Sequence, residues 1–268
     1  MKCYTVDSFT NEPFTGNPAG VCFPEHALSD ESKLNIAKEF GLSETAFVMP
    51  LDKPGVYAIR YFSPKKEIPL CGHATLASAK VLFSDSDIDT IHFITGEQLD
   101  LFISKRGNEI VMEFPVYETE PATVPDTLLH ALGLKKIINC EYSPKNKIIL
   151  LQIEDPSALA GLRPDFKALV ASYSGINGVL VTAATTDKGY DYHYRYFWPW
   201  AGTDEDPVTG GVQTFLAKYW SRLLNKSSMR AFQSSERTGY MSVELKDDKV
   251  LLFSEAVIML KGELNNIV

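Results

Sequence analysis

The stretch "RYFSPKKEIPLCGHATLASA", residues 60–79, decides how the chain is read, because it has a counterpart. A second stretch, "RYFWPWAGTDEDPVTGGVQT", residues 195–214, opens on the same arginine, tyrosine and phenylalanine. In each, an apolar strand-like run breaks at a proline and gives way to small residues that open a helix. Cys71 lies eleven residues after Arg60 and Asp206 eleven after Arg195 (71 − 60 and 206 − 195). Equal spacing within the same order of elements points to an internal duplication.

The neighbouring residues extend the repeat in both directions. Residues 2–9 and 19–23 read as strands, and Asp30 to Phe40 has helical spacing (Leu34, Ile36, Ala37, Phe40) behind a Ser29 N-cap, ended by Gly41. "TAFVMP" and "YAIRYF" are strands, "CGHATLASAKVLF" is a helix, and "TIHFIT", "LDLFISKRG" and "EIVMEFP" make a meander. After the Pro-rich, acidic "FPVYETEPATVP" the grammar returns. "KIILLQI" is a strand, "RPDFKALVASY" a helix, and "GVLVTAAT" and "YHYRYFWP" are strands. "TGGVQTFLAKYW" is a helix, followed by the strands "RAFQSS", "YMSVELKDD" and "KVLLFSE". The expected division is therefore 1–116 and 117–268, with a terminal strand at 256–268 able to pack back onto the first half.

Composition excludes several function classes. With 268 residues, 45% hydrophobic and 22% charged, the chain has enough apolar mass for one large or two ordinary domains. A formal net charge of −8 argues against nucleic acid or an anionic membrane as partner. No apolar run approaches the length of a membrane-spanning helix. Cys3, Cys22, Cys71 and Cys140 are scattered without CxxC spacing and "MKCYTVDSF" reads as a strand, so reduced thiols in a cytoplasmic protein are expected. No Walker A loop, GxGxxG after a strand, or GxSxG elbow occurs.

Four short motifs carry candidate chemistry. In "DEDPVTGG", Asp206 followed by Pro207 reads as an N-cap and first-turn proline, and Thr209, Gly210 and Gly211 let backbone N–H groups approach an anion. In "CGHAT", Cys71 at a helix start is a nucleophile or a small buried side chain, and His73 a site residue or a satisfied structural one. No zinc site is expected, since no second Cys/His pair has ligand spacing. In "GLSETAFV", Glu44 enters an apolar strand; it is either a solvated strand-mouth acid or a general base desolvated beside a carboxylate such as Asp206. "FTGNPAGV" is a turn between strands in which Asn17 either positions a ligand or serves conformation alone.

With "FTGNPAGV", "GLSETAFV", "CGHATLASA", "RYFWPWAGTDEDPVTGG", "LAKYW", "FQSSERTG" and "KGEL" in this order, the chain resembles the phenazine biosynthesis (PhzF-like) isomerase family almost end to end. The resemblance implies an α/β fold of two similar domains, each a curled mixed sheet around a central helix, as in diaminopimelate epimerase, with the site in the cleft between them. It implies a cofactor-free, commonly dimeric enzyme whose substrate is a small carboxylate. The family's proton-shuttling Glu falls on Glu44, its site His on His73 and its site Asp on Asp206, with substrate bound near Ser43, Gly72, Gly210, Gly211 and Asn17. Related epimerases oppose two cysteines; here the positions hold Cys71 and Asp206, so a symmetric two-thiol mechanism is not available and Cys71 reads as a packed remnant. Three positions depart from the family pattern: Gly211 replaces a common Ser, Thr238 a common Gly, and Glu255 a usual Gly. The expected function is a single-Glu proton shift, with an epimerase based on Cys71 or a non-catalytic metabolite-binding protein as alternatives.

Overall fold

The computed structural model describes residues 1–186 and 188–265 of the chain, so the last three residues of the expected 256–268 strand lie outside it. The chain divides into two compact units, Met1–Glu113 with Leu251–Val268, and Phe114–Val250.

In the first unit the order is β1 (Lys2–Ser8), β2 (Asn17–Phe23), α1 (Asp30–Phe40), β3 (Thr45–Pro50), β4 (Val56–Phe62), β5 (Glu67–Ile68) and α2 (Gly72–Asp85). It continues through β6 (Thr90–Thr95), β7 (Asp100–Arg106) and β8 (Glu109–Pro115). The second unit has β9 (Glu120–Pro121), α3 (Asp126–Leu132), β10 (Asn139–Ser143), β11 (Ile148–Ile153), α4 (Pro156–Ala160), α5 (Phe166–Ser172) and β12 (Gly178–Ala184). Then come β13 (Tyr192–Phe197), α6 (Gln213–Leu224), β14 (Ser228–Gln233) and β15 (Gly239–Lys246). β16 (Lys249–Ser254) leads back to the first unit, where β17 (Ala256–Glu263) lies antiparallel to β1.

The two units repeat one pairing pattern. β2 is parallel to β3, β3 antiparallel to β4, β4 parallel to β6 and β6 antiparallel to β7. Likewise β11 is parallel to β12, β12 antiparallel to β13, β13 parallel to β14 and β14 antiparallel to β15. Each is a mixed sheet, with α2 or α6 as the crossover between the second parallel pair. α2 is buried nearly all round, from His73 through Ala79 and on to Val81 and Phe83, and packs against β1, β2, β3 and β17. A helix apolar on every side belongs inside a sheet that curls around it. Its Ala and Ser residues keep it thin enough to be enclosed.

Local rules explain most boundaries. Ser29 caps α1 by accepting from the Ser32 N–H at 3.1 Å, and Gly41 closes it at φ 63° with its N–H on the Ala37 carbonyl. In the second unit a core of Leu132, Ile149, Leu151, Val179, Val181 and Phe197 lies beneath α3, α4 and α5. Five short elements had no readable signal: β5, β9, β10, α3 and α4. Asp206 does not cap α6, contrary to the sequence reading, because the helix begins only at Gln213. The intervening backbone is held by other groups: the Asp206 N–H donates to the Tyr196 carbonyl at 3.1 Å and the Thr209 N–H to the Gln233 side chain at 2.8 Å.

The repeat reaches the side chains. From β4, Arg60 grips Glu67 with Nε at 2.7 Å and Nη2 at 2.5 Å, its guanidinium 5.3 Å from the Phe62 ring centre. From β13, Arg195 grips Glu205 with both contacts at 2.7 Å and lies 4.9 Å from the Phe197 ring centre. Arg195 is 5% exposed and also donates to the carbonyls of Leu159, Ala160 and Leu162. The Arg60 pair is about a third exposed, with side chains at 30% and 35%.

Burial sets different costs for these matching pairs. Arg195→Ala strands the Glu205 charge and is expected to destabilise by about 3–5 kcal/mol, whereas Arg60→Ala, screened by water, costs at most about 1 kcal/mol. Urea unfolding of the two variants checks this, and equal losses would refute the asymmetry. Thr238, where the family commonly has Gly, sits at φ 55°. A β-branched side chain there carries about 1–2 kcal/mol of strain, partly offset in Thr238→Gly by about 0.5–1 kcal/mol of glycine entropy. Thr238→Gly is therefore expected to raise the melting temperature slightly; a fall would show that the Thr238 side chain contributes packing worth more than the strain.

Candidate functional site

In the first unit three chain segments meet at one imidazole. The chain leaves α1 at Gly41 and enters β3 at Thr45, which puts Ser43 and Glu44 at the strand mouth. The Glu44 carbonyl accepts from the Gly20 N–H at 3.1 Å, which anchors that mouth to β2. His73 is the second residue of α2, and its carbonyl accepts from the Ser8 hydroxyl at 2.8 Å. Ser8 is register partner to Asn17, so the "FTGNPAGV" turn is tied to the helix start through β1. Gly16 in that turn has φ 72°, and a Cβ there would collide with the Ser8 carbonyl oxygen, so only glycine fits.

His73 Nε2 lies 3.3 Å from Glu44 Oε2 and 3.4 Å from the Ser43 hydroxyl. The Cys71 sulfur lies 3.4 Å from His73 Nδ1. Both Glu44 and His73 are only 7% exposed. Burial holds the His73 imidazole below the usual value of 6.5, with the Glu44 charge acting the other way. The Cys71 sulfur, 3.4 Å from Nδ1 and 3.8 Å from Nε2, lies against the face of the ring rather than in line with one nitrogen.

Cys71 is part of this arrangement. It occupies the position before α2 but makes no capping bond through its side chain. Its carbonyl is held instead, by the Thr75 N–H at 3.0 Å and the Thr75 hydroxyl at 2.7 Å. The thiol is thus buried and packed against the site histidine. Spacing along the chain also hid the grouping of Glu44, Cys71 and His73. Their ligand atoms lie within 4.8 Å of one another, close enough to share one cation. The same proximity lets a proton pass between carboxylate and imidazole. Sequence could not show the grouping because Glu44 arrives from 27 residues upstream of Cys71 (71 − 44).

The second unit holds the other expected residues in one turn. Asp206 is half-buried and accepts from the Thr209 hydroxyl at 2.5 Å, while its carbonyl accepts from Gln233 Nε2 at 2.5 Å. The Ser235 hydroxyl donates to the Pro207 carbonyl, and the Tyr194 hydroxyl to the Thr209 carbonyl at 3.1 Å. Burial, with the Asp206 charge adding to it, pushes the Tyr196 phenol up and keeps it neutral. Gly210 is buried, whereas Gly211 is exposed with nothing within 4 Å of where its Cβ would stand. Space therefore does not explain glycine at that position, and a serine would fit. Gln233 and Ser235, which lock the turn, were not singled out as site residues, although both stand in the "FQSSERTG" motif.

Comparison with known proteins agrees with the fold and the motifs. The family model for phenazine biosynthesis-like proteins (PhzC-PhzF) matches residues 6–262. An uncharacterized isomerase of Halalkalibacterium halodurans is 38% identical over 266 residues, covering 97% of each chain. A PhzF-family crystal structure from Enterococcus faecalis superposes with a TM-score of 0.92 at 34% identity, over 99% of both chains. A probable proline racemase from Agrobacterium radiobacter shares the fold alone, with a TM-score of 0.61 at 10% identity over 98% of this chain and 92% of that one. No helix among the described residues is long and apolar enough to cross a membrane. A duplicated mixed α/β fold, the ordered motifs and near-complete coverage lead to one assignment: the chain belongs to the PhzF-like, phenazine biosynthesis-like family of isomerases.

Proposed function

We propose that the protein is a cofactor-independent isomerase that moves a proton within a small carboxylate-bearing metabolite, with Glu44 as its single general acid/base. The observation that carries this reading is a buried carboxylate 3.3 Å from a buried imidazole that stays neutral. Glu44 takes a proton from one carbon and returns it to another. His73 orients the carboxylate through Nε2 and compensates its charge as the proton moves. The N–H groups that open α2 near Gly72, with Ser43 beside them, suit the substrate's own carboxylate. Asn17 is proposed to help bind substrate from the turn tied to the start of α2. Asp206 and the Gly210–Gly211 turn take the substrate-orienting role that family resemblance gives them. The isomerase name borne by the Halalkalibacterium halodurans relative supports the reaction class.

The test is exchange of carbon-bound protons in D₂O across a panel of small cyclic and amino-acid carboxylates. Glu44→Gln is expected to lower the exchange rate by about 10²–10⁴ with an unchanged circular dichroism spectrum. Cys71→Ser, which keeps nearly the same size beside the His73 ring, is expected to retain most exchange. The reverse outcome, exchange at an α-carbon lost in Cys71→Ser and kept in Glu44→Gln, would establish a thiol-based epimerase instead. A carboxylate that raises the melting temperature with no proton exchange at any carbon would establish a binding protein.

A further inference from the structure

Cys3 and Cys22 face each other across β1 and β2, directly opposed in the antiparallel register. Their sulfurs are 3.1 Å apart, and both are buried, at 5% and 0% exposure, against Ile36, Ala37, Phe47 and Phe62. Directly opposed residues have Cα atoms about 4.5–5.5 Å apart, inside the range of about 4.4–6.8 Å that a disulfide spans. Joining the sulfurs therefore requires side-chain rotation and no movement of either strand.

The surroundings distinguish the two thiols. The two thiols share a hydrogen bond, Cys3 to Cys22 at 3.1 Å, and Cys3 is drawn down chiefly by this pairing against the effect of burial. The shared hydrogen bond and burial push the Cys22 thiol up. Beside Cys3, Met1 N donates to the Leu264 carbonyl at 3.2 Å and Leu264 N to the Met1 carbonyl at 2.9 Å. Cys3 is 5% exposed and Cys22 fully buried, so Cys3 is the sulfur that a small solute reaches first. Two small apolar side chains packed together would account for the burial. They would not account for a thiol–thiol hydrogen bond between register partners.

We propose that Cys3 and Cys22 are an oxidisable dithiol, a modification site at which hydrogen peroxide is the two-electron oxidant and Cys3 the attacking thiol. The Cys3 thiolate attacks one peroxide oxygen, the O–O bond breaks, and hydroxide leaves and is protonated to water. The product is the Cys3 sulfenic acid. The Cys22 sulfur then attacks the Cys3 sulfur and the S–O bond breaks. Water departs with the Cys22 proton, and an S–S bond joins the strands. Two thiols lose two electrons and one peroxide becomes two waters.

The full-length protein is treated with hydrogen peroxide, alkylated in denaturant without reductant and mapped by mass spectrometry. A linked Cys3–Cys22 peptide is expected, with titratable thiols falling from four to two and returning on reduction. In Cys22→Ser, dimedone is expected to trap a sulfenic acid at Cys3; in Cys3→Ser, Cys22 is expected to stay unmodified. Thiols at 3 and 22 that survive while Cys71 or Cys140 is oxidised would overturn the proposal. So would dimedone capture at Cys22 in Cys3→Ser. The wild-type peptide map decides the matter even if a serine variant fails to fold.

Discussion

The guanidinium–carboxylate fork at the end of each "RYF" strand is the constraint on which the site depends. A crossover from one parallel strand to the next must leave the sheet, turn and start a helix, and nothing in a sheet's hydrogen bonding holds that turn in place. Arg60 to Glu67 and Arg195 to Glu205 supply two parallel charge-assisted bonds each across the departing chain. Eleven residues after each arginine stands Cys71 or Asp206. The forks span seven residues in the first unit and ten in the second (67 − 60 and 205 − 195), so each holds its own departing loop. In the second unit the fork is buried and bound also to carbonyls of the 159–162 turn, so it organises the core as well as the loop.

Beyond the fork the two units diverge chemically. The first unit's loop passes directly into α2, which brings His73 to the mouth of β3 and against Glu44. The second unit delays its helix by six residues (212 − 206), and that length is held as a turn by Gln233, Ser235 and Tyr194. One unit thus offers a buried acid–imidazole pair with a thiol behind it. The other offers a half-buried carboxylate among backbone amides. Duplication produced two scaffolds, and the residues at the matching positions gave them different chemical groups. Burial couples the Glu44–His73 pair, since water would otherwise solvate both partners separately.

Much of this was legible along the chain. The 3.6-residue period and caps of α1, the apolar runs of β3 and β4, the alternation in β6, and the apolar, small-residue run of α2 follow from local rules, and the structure has them within a residue or two. α3, α4 and β10 were not legible because five to seven residues are too few for a period to show. Asp206 misled for another reason. An acid followed by proline is a sound capping signal, but Gln233 from 27 residues further on claims the Asp206 carbonyl and the Thr209 N–H and keeps the turn open.

By itself the sequence determined the duplication, the family and the residue types at the site, because motif spacing and hydrophobic period are properties of the covalent chain. Only the tertiary structure decided which of those residues act on one another. Glu44 and His73 come from different elements, and their 3.3 Å approach follows from how β3 and α2 pack on β2. The same packing puts the Cys71 sulfur against the His73 ring and sets Cys3 against Cys22. Proton and electron transfer depend on distances of a few ångströms and on exclusion of water, and neither is written into the order of residues.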